Sequence, residues 1–374
     1  MKFKSLILFL IGFIVVGGFV YLQKTRGLPP PSNDPIPIVD SSKLKNTQVV
    51  PTINTPIRSK SNVIWCASFV ANWKNLQYEL AREPIKLNKP SEFVNLLNNA
   101  PDPTSSIPKN SLYTAAGWND KGIMEKIKND LAKKFPDKEM PSFPNITPDS
   151  FVSYSYLEAK VPFTIPYFQN REPLEFTNGD GTKTKLSSFG IREKDDYAYE
   201  TLRAQPKVLY STFAAAEGFA IDLDRNSKPN QIVIAVVKPE KTLEQIYNLV
   251  QDKIKSKDRG INVFPNGGLG ITDVLLVPDI ICNISHHYNE IEGLVFLNPK
   301  LKNQSIDIAQ QDILFRLDRN GAEIKSEAKM ICQPISTHLI ADRPFFVYIK
   351  KRGSKQPYFM MWVDNADFLK KWDK

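Results

Sequence analysis

The sequence predicts an α+β protein, in which a helical first third of the folded part is followed by mostly antiparallel β structure. Apolar residues before Pro84 recur at helical spacing, whereas the stretches after Phe151 are short, rich in β-branched and aromatic residues, and separated by turn signals. The length of 374 residues allows one large domain or two to three ordinary ones, and a hydrophobic content of 42% excludes a wholly disordered chain.

Three helices are expected before Phe151 and one after it. The predicted helical ranges are 63–83, 91–99, 119–135 and 241–255. Pro84 and Pro136 end the first and third of these helices, because proline removes a backbone donor. The expected strands cover 151–157, a segment from Leu186, 208–213, 218–223, 231–237, 273–281, 306–317, 345–350 and 358–363, with a tight turn at 177–182.

The N-terminus indicates a membrane segment. Lys2 and Lys4 precede an unbroken apolar run over 6–22, which is long enough to cross a bilayer and has no clear cleavage site after it. We therefore expect a signal-anchor helix at 1–22 and a membrane-anchored, extracytoplasmic protein, periplasmic or extracellular, or a secreted one if the segment is cleaved. Residues 23–60 are rich in proline and predict an extended linker, which leaves 61–374 as the folded domain.

Charge and ligand-forming side chains exclude several classes of function. The net charge of +9 is spread along the chain, so no nucleic-acid partner is expected. The basic run at 350–352 with Lys355 fits either polyanion binding or a solvated turn. Cys66, Cys282 and Cys332 are too few for a disulfide scaffold, and the histidines lack partners at metal-ligand spacing, so we expect no metal and no cofactor. No GxSxG or HExxH motif occurs, which predicts that the chain is not an enzyme.

Six segments resemble the serpin family and follow one another in the family's order. The segment 313–323 (ILFRLDRNGAE) resembles the strand that leads to the serpin hinge, 341–349 (ADRPFFVYI) the strand after the reactive loop, and 358–363 (YFMMWV) the final strand. The upstream segments with such resemblance are 151–159, 176–185 and 218–237, and residues 62–65 in addition resemble the entry to the family's domain. The resemblance spans about 151–368. It implies a divergent serpin-like domain, with a shortened N-terminal helical region, large mixed and antiparallel sheets, and an exposed reactive-type loop.

This resemblance implies a monomeric inhibitor of a serine or cysteine protease. In that family a protease cleaves the loop, forms an acyl-enzyme, and is trapped as the loop inserts into a large sheet as a new strand. The spacing of the family places the reactive bond at or near Ile335–Ser336, which suits a protease with an apolar pocket. The implied hinge residues are Arg319, Gly321, Ala322, Ile324, Ser326 and Ala328. The implied cluster that controls sheet opening is Cys66, Ser153 and Gln311.

The residues of the loop test this implication. Small or apolar and charged residues alternate strictly from Ala322 to Met330, which fits either an insertable strand or an ordinary amphipathic strand. Arg319 replaces the usual hinge glutamate, and the large Ile324 would cost about 1–3 kcal/mol on insertion through overpacking. The alternative function is therefore a non-inhibitory serpin-fold binding module whose loop does not insert. Trapping further requires that the strands at Phe151 and Ile313 form one β layer.

Overall fold

The computed structural model describes residues 37–136, 141–144, 146–192, 197–212, 215, 217–256, 260–261, 264–319 and 337–372. Its contacts divide the chain into two units, Met1–Asn33 and Asp34–Lys374, and every described residue lies in the second. Helices and several mixed or antiparallel sheets alternate along this second unit, so the predicted α+β class is confirmed.

Among the described residues, three of the five α-helices precede Phe151, as predicted, and two follow it, where the sequence predicted one. The helices are α1 (Ser68–Leu76), α2 (Glu92–Asn99), α3 (Ile123–Lys134), α4 (Tyr197–Ala204) and α5 (Leu243–Lys255). Side chains cap two of them, because the Ser91 hydroxyl accepts from the N–H of Val94 and the Thr242 hydroxyl accepts from that of Gln245.

Within the described ranges, the strands form five sheets. In chain order they are β1 (Val39–Asp40), β2 (Thr47–Val49), β3 (Asn62–Cys66), β4 (Leu112–Trp118), β5 (Phe151–Leu157), β6 (Phe168–Gln169), β7 (Leu174–Thr177), β8 (Lys183–Leu186), β9 (Ser188–Ile191), β10 (Lys207–Ser211), β11 (Phe219–Asp222), β12 (Asn230–Val236), β13 (Val274–Pro278), β14 (Ile280–His287), β15 (Gln310–Leu317), β16 (His338–Ile340), β17 (Phe345–Lys351) and β18 (Phe359–Val363). The sheets have the orders β10-β11-β12-β17-β18-β3-β2, β16-β13-β9-β6, β1-β14-β15, β4-β5 and β7-β8.

The seven-stranded sheet carries the main core. Its central strand β18 is a continuous apolar run, and so is β17 up to Ile349; Phe346, Val347, Met360 and Met361 are wholly buried. Such runs are typical of strands covered on both faces. The predicted tight turn at 177–182 joins β7 to β8, whose register runs from Leu174 opposite Leu186.

The helix predicted over 63–83 is wrong in its first part. Residues Asn62–Cys66 form β3, and the helix begins only at Ser68. All five β3 residues are buried, and a fully buried strand has no polar face, so its apolar run imitates a buried helix in sequence.

Two further differences from the sequence prediction concern β4 and the strand expected over 273–281. A strand, β4, precedes α3 and pairs with β5, although the sequence predicted no strand there. The single strand expected over 273–281 is instead two, β13 and β14, which belong to different sheets and are separated at Asp279.

The folded body begins before the predicted boundary at residue 61. Within 37–60, β1 pairs with β14 in parallel and β2 pairs with β3 in parallel. Val49 and Val50 are buried, and the Ser41 hydroxyl lies 2.7 Å from Nδ1 of His286. Because Val49 and Val50 pack into the core, this part of the predicted linker is folded. Residues 23–36 of the predicted linker lie outside the described residues.

The membrane-anchored, extracytoplasmic localisation predicted from the sequence is corrected. Across the described ranges, no helix is long and apolar enough to cross a membrane. The apolar segment 1–22, on which that prediction rested, lies outside the described residues.

Candidate functional site

The two ends of the predicted reactive loop are described, and its centre is not. Arg319 is the last described residue before the segment 320–336, and Thr337 is the first after it. The other predicted loop residues lie outside the described residues: Gly321, Ala322, Ile324, Ser326, Ala328, Ile335 and Ser336.

Arg319 is fixed to Tyr167. The N–H of Tyr167 donates to the carbonyl oxygen of Arg319 at 3.1 Å, and Nε of Arg319 donates to the carbonyl oxygen of Tyr167 at 3.1 Å. Tyr167 is wholly buried, its ring centre lies 5.1 Å from that of Phe163, and its hydroxyl donates to the carbonyl oxygen of Leu223. The start of the loop is therefore attached to a packed part of the core.

Thr337 is fixed to Asp273. The N–H of Thr337 donates to Oδ1 of Asp273 at 2.9 Å, and its carbonyl oxygen accepts from the N–H of Val274 at 3.0 Å. Asp273 is buried, and the buried guanidinium of Arg203 donates to its carbonyl oxygen at 2.7 Å. The end of the loop thus leads directly into β16, which pairs in parallel with β13.

The strands at Phe151 and Ile313 do not form one hydrogen-bonded layer. β5 pairs with β4, and β15 pairs with β14, so the two strands belong to separate sheets. Within the described ranges, each of them pairs on one side alone. The expectation that these two strands form a single β layer is therefore wrong for this structure, because no backbone hydrogen bonds join them.

Both strands nevertheless rest on the same helix, α1. The Ser155 hydroxyl of β5 donates to the carbonyl oxygen of Ser68 at 2.7 Å. On β15, Nε2 of Gln311 donates to the hydroxyl of that same Ser68 at 2.8 Å. Ser68 is the first residue of α1, so the two strands approach each other over the beginning of this helix.

The predicted sheet-opening cluster is brought together in part. Gln311 is buried, and its Nε2 also donates to the carbonyl oxygen of Cys66 at 3.2 Å. Its Oε1 accepts from the hydroxyl of Tyr288 at 2.7 Å. Ser153 bonds elsewhere, because its hydroxyl donates to Oδ1 of Asn72 at 2.6 Å. Gln311 and Cys66 thus connect β15 with β3 and α1, whereas Ser153 connects β5 with α1.

Burial determines the chemistry of the groups in this cluster. Desolvation raises the pKa of the Cys66 thiol, although the hydrogen bond from Ser68 opposes the shift. Desolvation also raises the pKa of the Tyr288 hydroxyl well above its usual value. A neutral thiol is a weak nucleophile, so Cys66 acts as a small packed side chain. Across the described part of the chain, no three His, Cys, Asp or Glu residues are grouped to hold a metal ion.

Sequence reasoning missed three residues of the site. Tyr167 and Asp273 hold the two ends of the loop, and Asp279 lies buried at the break between β13 and β14. A polar residue inside the apolar run 274–284 was a usable signal for Asp279, because buried carboxylates need partners. Tyr167 had no such signal, since a backbone contact across 152 positions leaves no local pattern.

The described fold is similar to those of solved serpins. Human thyroxine-binding globulin in complex with thyroxine is 11% identical, with 82% of this chain and 92% of that chain covered and a TM-score of 0.45. Mouse protein Z-dependent protease inhibitor is 13% identical, with 81% and 91% covered and a TM-score of 0.47. Arabidopsis AtSerpin1 in its native stressed conformation is 12% identical, with 83% and 93% covered and a TM-score of 0.44.

A scan against protein-family models found no match, and a search of curated proteins found none either. The likeness to solved structures concerns the fold alone. The motif segments that begin at Ile313, Ala341 and Tyr358 contain residues of β15, β17 and β18. The fold itself is of the α+β class.

Proposed function

We propose that this chain is a serpin-like inhibitor of serine or cysteine proteases with an apolar pocket, in which the segment between Arg319 and Thr337 is the bait. The observation that carries the proposal is the attachment of both ends. Arg319 is bonded to the buried Tyr167, and Thr337 is bonded to the buried Asp273. A loop held at both ends presents its centre to a protease with less loss of entropy than a free chain.

The chemistry of inhibition begins at the predicted bond Ile335–Ser336. The protease nucleophile attacks the carbonyl carbon of Ile335, the peptide bond to Ser336 breaks, and the amine of Ser336 leaves with a proton. An acyl ester or thioester then joins the protease to the part of the chain that ends at Ile335. Inhibition requires that this part moves faster than water hydrolyses the acyl bond.

The movement in this proposal is insertion between β5 and β15, which now lie in separate sheets and which the inserted strand would have to join into the one β layer that trapping requires. Each strand has an edge that pairs with no other described strand, and each is bonded to Ser68 of α1. An inserted strand gains backbone hydrogen bonds along both edges and buries alternate side chains. The residues placed inward would be Ala322, Ile324, Ser326, Ala328 and Met330.

The anchor at Thr337 restricts where a protease acts. Thr337 is buried and its backbone is bonded on both sides, so Ser336 is the last residue before a fixed point. Cleavage at Ile335–Ser336 therefore requires release of Thr337 from Asp273. A protease that does not release it would cut nearer the centre of 320–336.

The alternative is a non-inhibitory binding module, and one observation favours it. β5 and β15 belong to separate sheets, and the cluster of Gln311 with Cys66 and Tyr288 ties β15 to its neighbours. If this attachment is never broken, the loop stays outside and the chain binds its partner through a surface.

Incubation of the full chain with an elastase-like protease separates the two functions. We expect a complex that survives denaturing electrophoresis, and a melting temperature of the cleaved chain that rises by tens of degrees. Mass spectrometry of the released C-terminal fragment locates the cleaved bond. Degradation without a complex and without a rise in melting temperature would contradict inhibition and leave the binding module.

Two neighbouring substitutions supply a matched control. In Ala328→Arg a long charged side chain replaces one that the alternation places inward, so insertion should fail and the loop should act as a substrate. In Glu327→Arg the change lies on the face that the alternation places outward, so the complex should still form. If both variants form the complex with the protease, or if neither does, insertion of residues 322–330 would be contradicted.

A further inference from the structure

Asp279 is a buried carboxylate whose hydrogen bonding is incomplete. It lies at the break between β13 and β14 and is 3% exposed. Its Oδ2 accepts from Nε2 of Gln169 at 2.8 Å, whereas Oδ1 has no partner among the described residues. Its backbone is fixed, because its N–H donates to the carbonyl oxygen of Ser187 and its carbonyl oxygen accepts from the backbone N–H of Lys370. An ionised carboxylate in such a place is costly.

The partner of Asp279 belongs to the segment that holds the hinge. Gln169 follows Tyr167 by two residues, and the backbone of Tyr167 is bonded to Arg319. Displacement of this short segment breaks the bond to Asp279 and the bonds to Arg319 together. We call these four residues, Tyr167, Gln169, Asp279 and Arg319, the hinge latch.

We propose that Asp279 makes the hinge latch sensitive to pH: the latch is held firmly when the carboxyl group is neutral and opens more readily when it is ionised. The consequence for inhibition rests on the proposed function. An open latch frees the start of the loop for insertion, so acid would slow insertion and neutral conditions would favour it.

The direction of this pH effect follows from the free energy of the carboxylate in the closed and in the open latch. Burial, with a smaller contribution from nearby Asp318, raises the pKa of Asp279 to about 6 in the closed latch. Gln169, Lys370 and Arg316 oppose this shift. Opening lets water reach the carboxylate, which returns the pKa toward its ordinary value of 3.8. The ionised form therefore favours the open latch, and linkage limits the effect to about a hundredfold in the opening equilibrium.

Hydrogen exchange of the Tyr167 amide measures the latch directly, with no requirement that the loop inserts. The full chain is compared at pH 7.5 and pH 5.0, and rates are corrected for the intrinsic effect of pH on exchange. We expect the protection factor of this amide to be higher at pH 5.0, by up to about tenfold. In Asp279→Asn we expect high protection at both pH values, because the side chain is always neutral and its oxygen still accepts from Gln169.

Asp364→Asn is the matched control. Asp364 is also buried, and burial also raises the pKa of its carboxyl group, but it lies against the β7-β8 turn at Gly179. We expect the Tyr167 amide of this variant to respond to pH as in the parent chain. Equal protection of the parent at both pH values, lower protection in Asp279→Asn, or the same loss of response in Asp364→Asn would overturn the proposal.

Cleavage of the loop then separates this proposal from the proposed function. The rise in melting temperature after cleavage should develop more slowly in Asp279→Asn at pH 7.5 than in the parent. If exchange changes as expected but no chain ever gains stability after cleavage, the latch stands and inhibition by insertion fails.

Discussion

Replacement of Gln311 by leucine should destabilise the protein in a way that a second substitution repairs in part. Gln311 is 6% exposed and makes hydrogen bonds to Tyr288, Cys66 and Ser68. Leucine has a similar volume but accepts no hydrogen bond, so the Tyr288 hydroxyl, on a residue 1% exposed, loses its partner. An unsatisfied buried group costs about 1–3 kcal/mol, so we expect Gln311→Leu to lower the free energy of unfolding by about 2 kcal/mol.

The companion substitution Tyr288→Phe removes the orphaned hydroxyl and keeps the ring, whose centre lies 4.0 Å from that of Phe69. Alone, it leaves Oε1 of Gln311 unsatisfied and should cost about 1–2 kcal/mol. Together with Gln311→Leu it removes both partners of this one bond, so the double variant should be more stable than the sum of the two single losses predicts, by about 1–2 kcal/mol. The loss that remains comes from the missing bonds of Gln311 to Cys66 and Ser68.

Urea denaturation of the four proteins measures this double-mutant cycle. The midpoint and slope of the first cooperative transition are compared, and equal slopes are required for the comparison. If the double variant is as unstable as the sum of the two single variants, the bond between Gln311 and Tyr288 does not account for the loss. The inferred role of the cluster in holding β15 would then be wrong.

Three other substitutions test the fold and its pH dependence. The pKa of Asp279 is raised to about 6, against an ordinary value of 3.8. The stability that depends on its neutral form is therefore complete below pH 4 and is lost as pH rises to about 6. The free energy of unfolding of Asp279→Asn should exceed that of the parent by about 3 kcal/mol at pH 7.5 and be nearly the same at pH 4. Gly190→Ala should destabilise by at least about 3 kcal/mol in urea, because φ is +151° and the new Cβ would lie 1.8 Å from the carbonyl oxygen of Leu275. Arg352→Met should cost about 3–5 kcal/mol in the same assay, because it leaves the wholly buried Asp222 without its 2.8 Å ion pair, and a smaller loss than about 1 kcal/mol would contradict this.

The helices and hairpins that sequence reasoning located are those with a strong local signal. Ser91 and the apolar spacing after it predicted α2 to within one residue, and the turn at 177–182 predicted the β7-β8 pair. Strands β11, β12, β17 and β18 were likewise found within one or two residues. In each case the pattern of a few neighbouring residues determines the local structure.

The parts that were missed depend on contacts between distant residues. β1 and β2 are only two and three residues long, and they form because they pair with β14 and β3. No local sequence pattern predicts such pairing. The separation of β5 from β15 is likewise a property of tertiary packing. The motifs led to Gln311 and Cys66 as a pair in contact, but the bonds between Tyr167 and Arg319 could be found in the structure alone.

The parallel pairing of β1 with β14 attaches Val39–Asp40 directly to the sheet that holds β15. A force applied at Val39 would reach β14 through the backbone hydrogen bonds between Val39–Asp40 and Ile284–Ser285. Any expression fragment, immobilisation tag or fusion joined at residue 61 would remove this connection and uncover the outer edge of β14. Attachment of the protein before residue 37 keeps that edge covered during experiments on the loop.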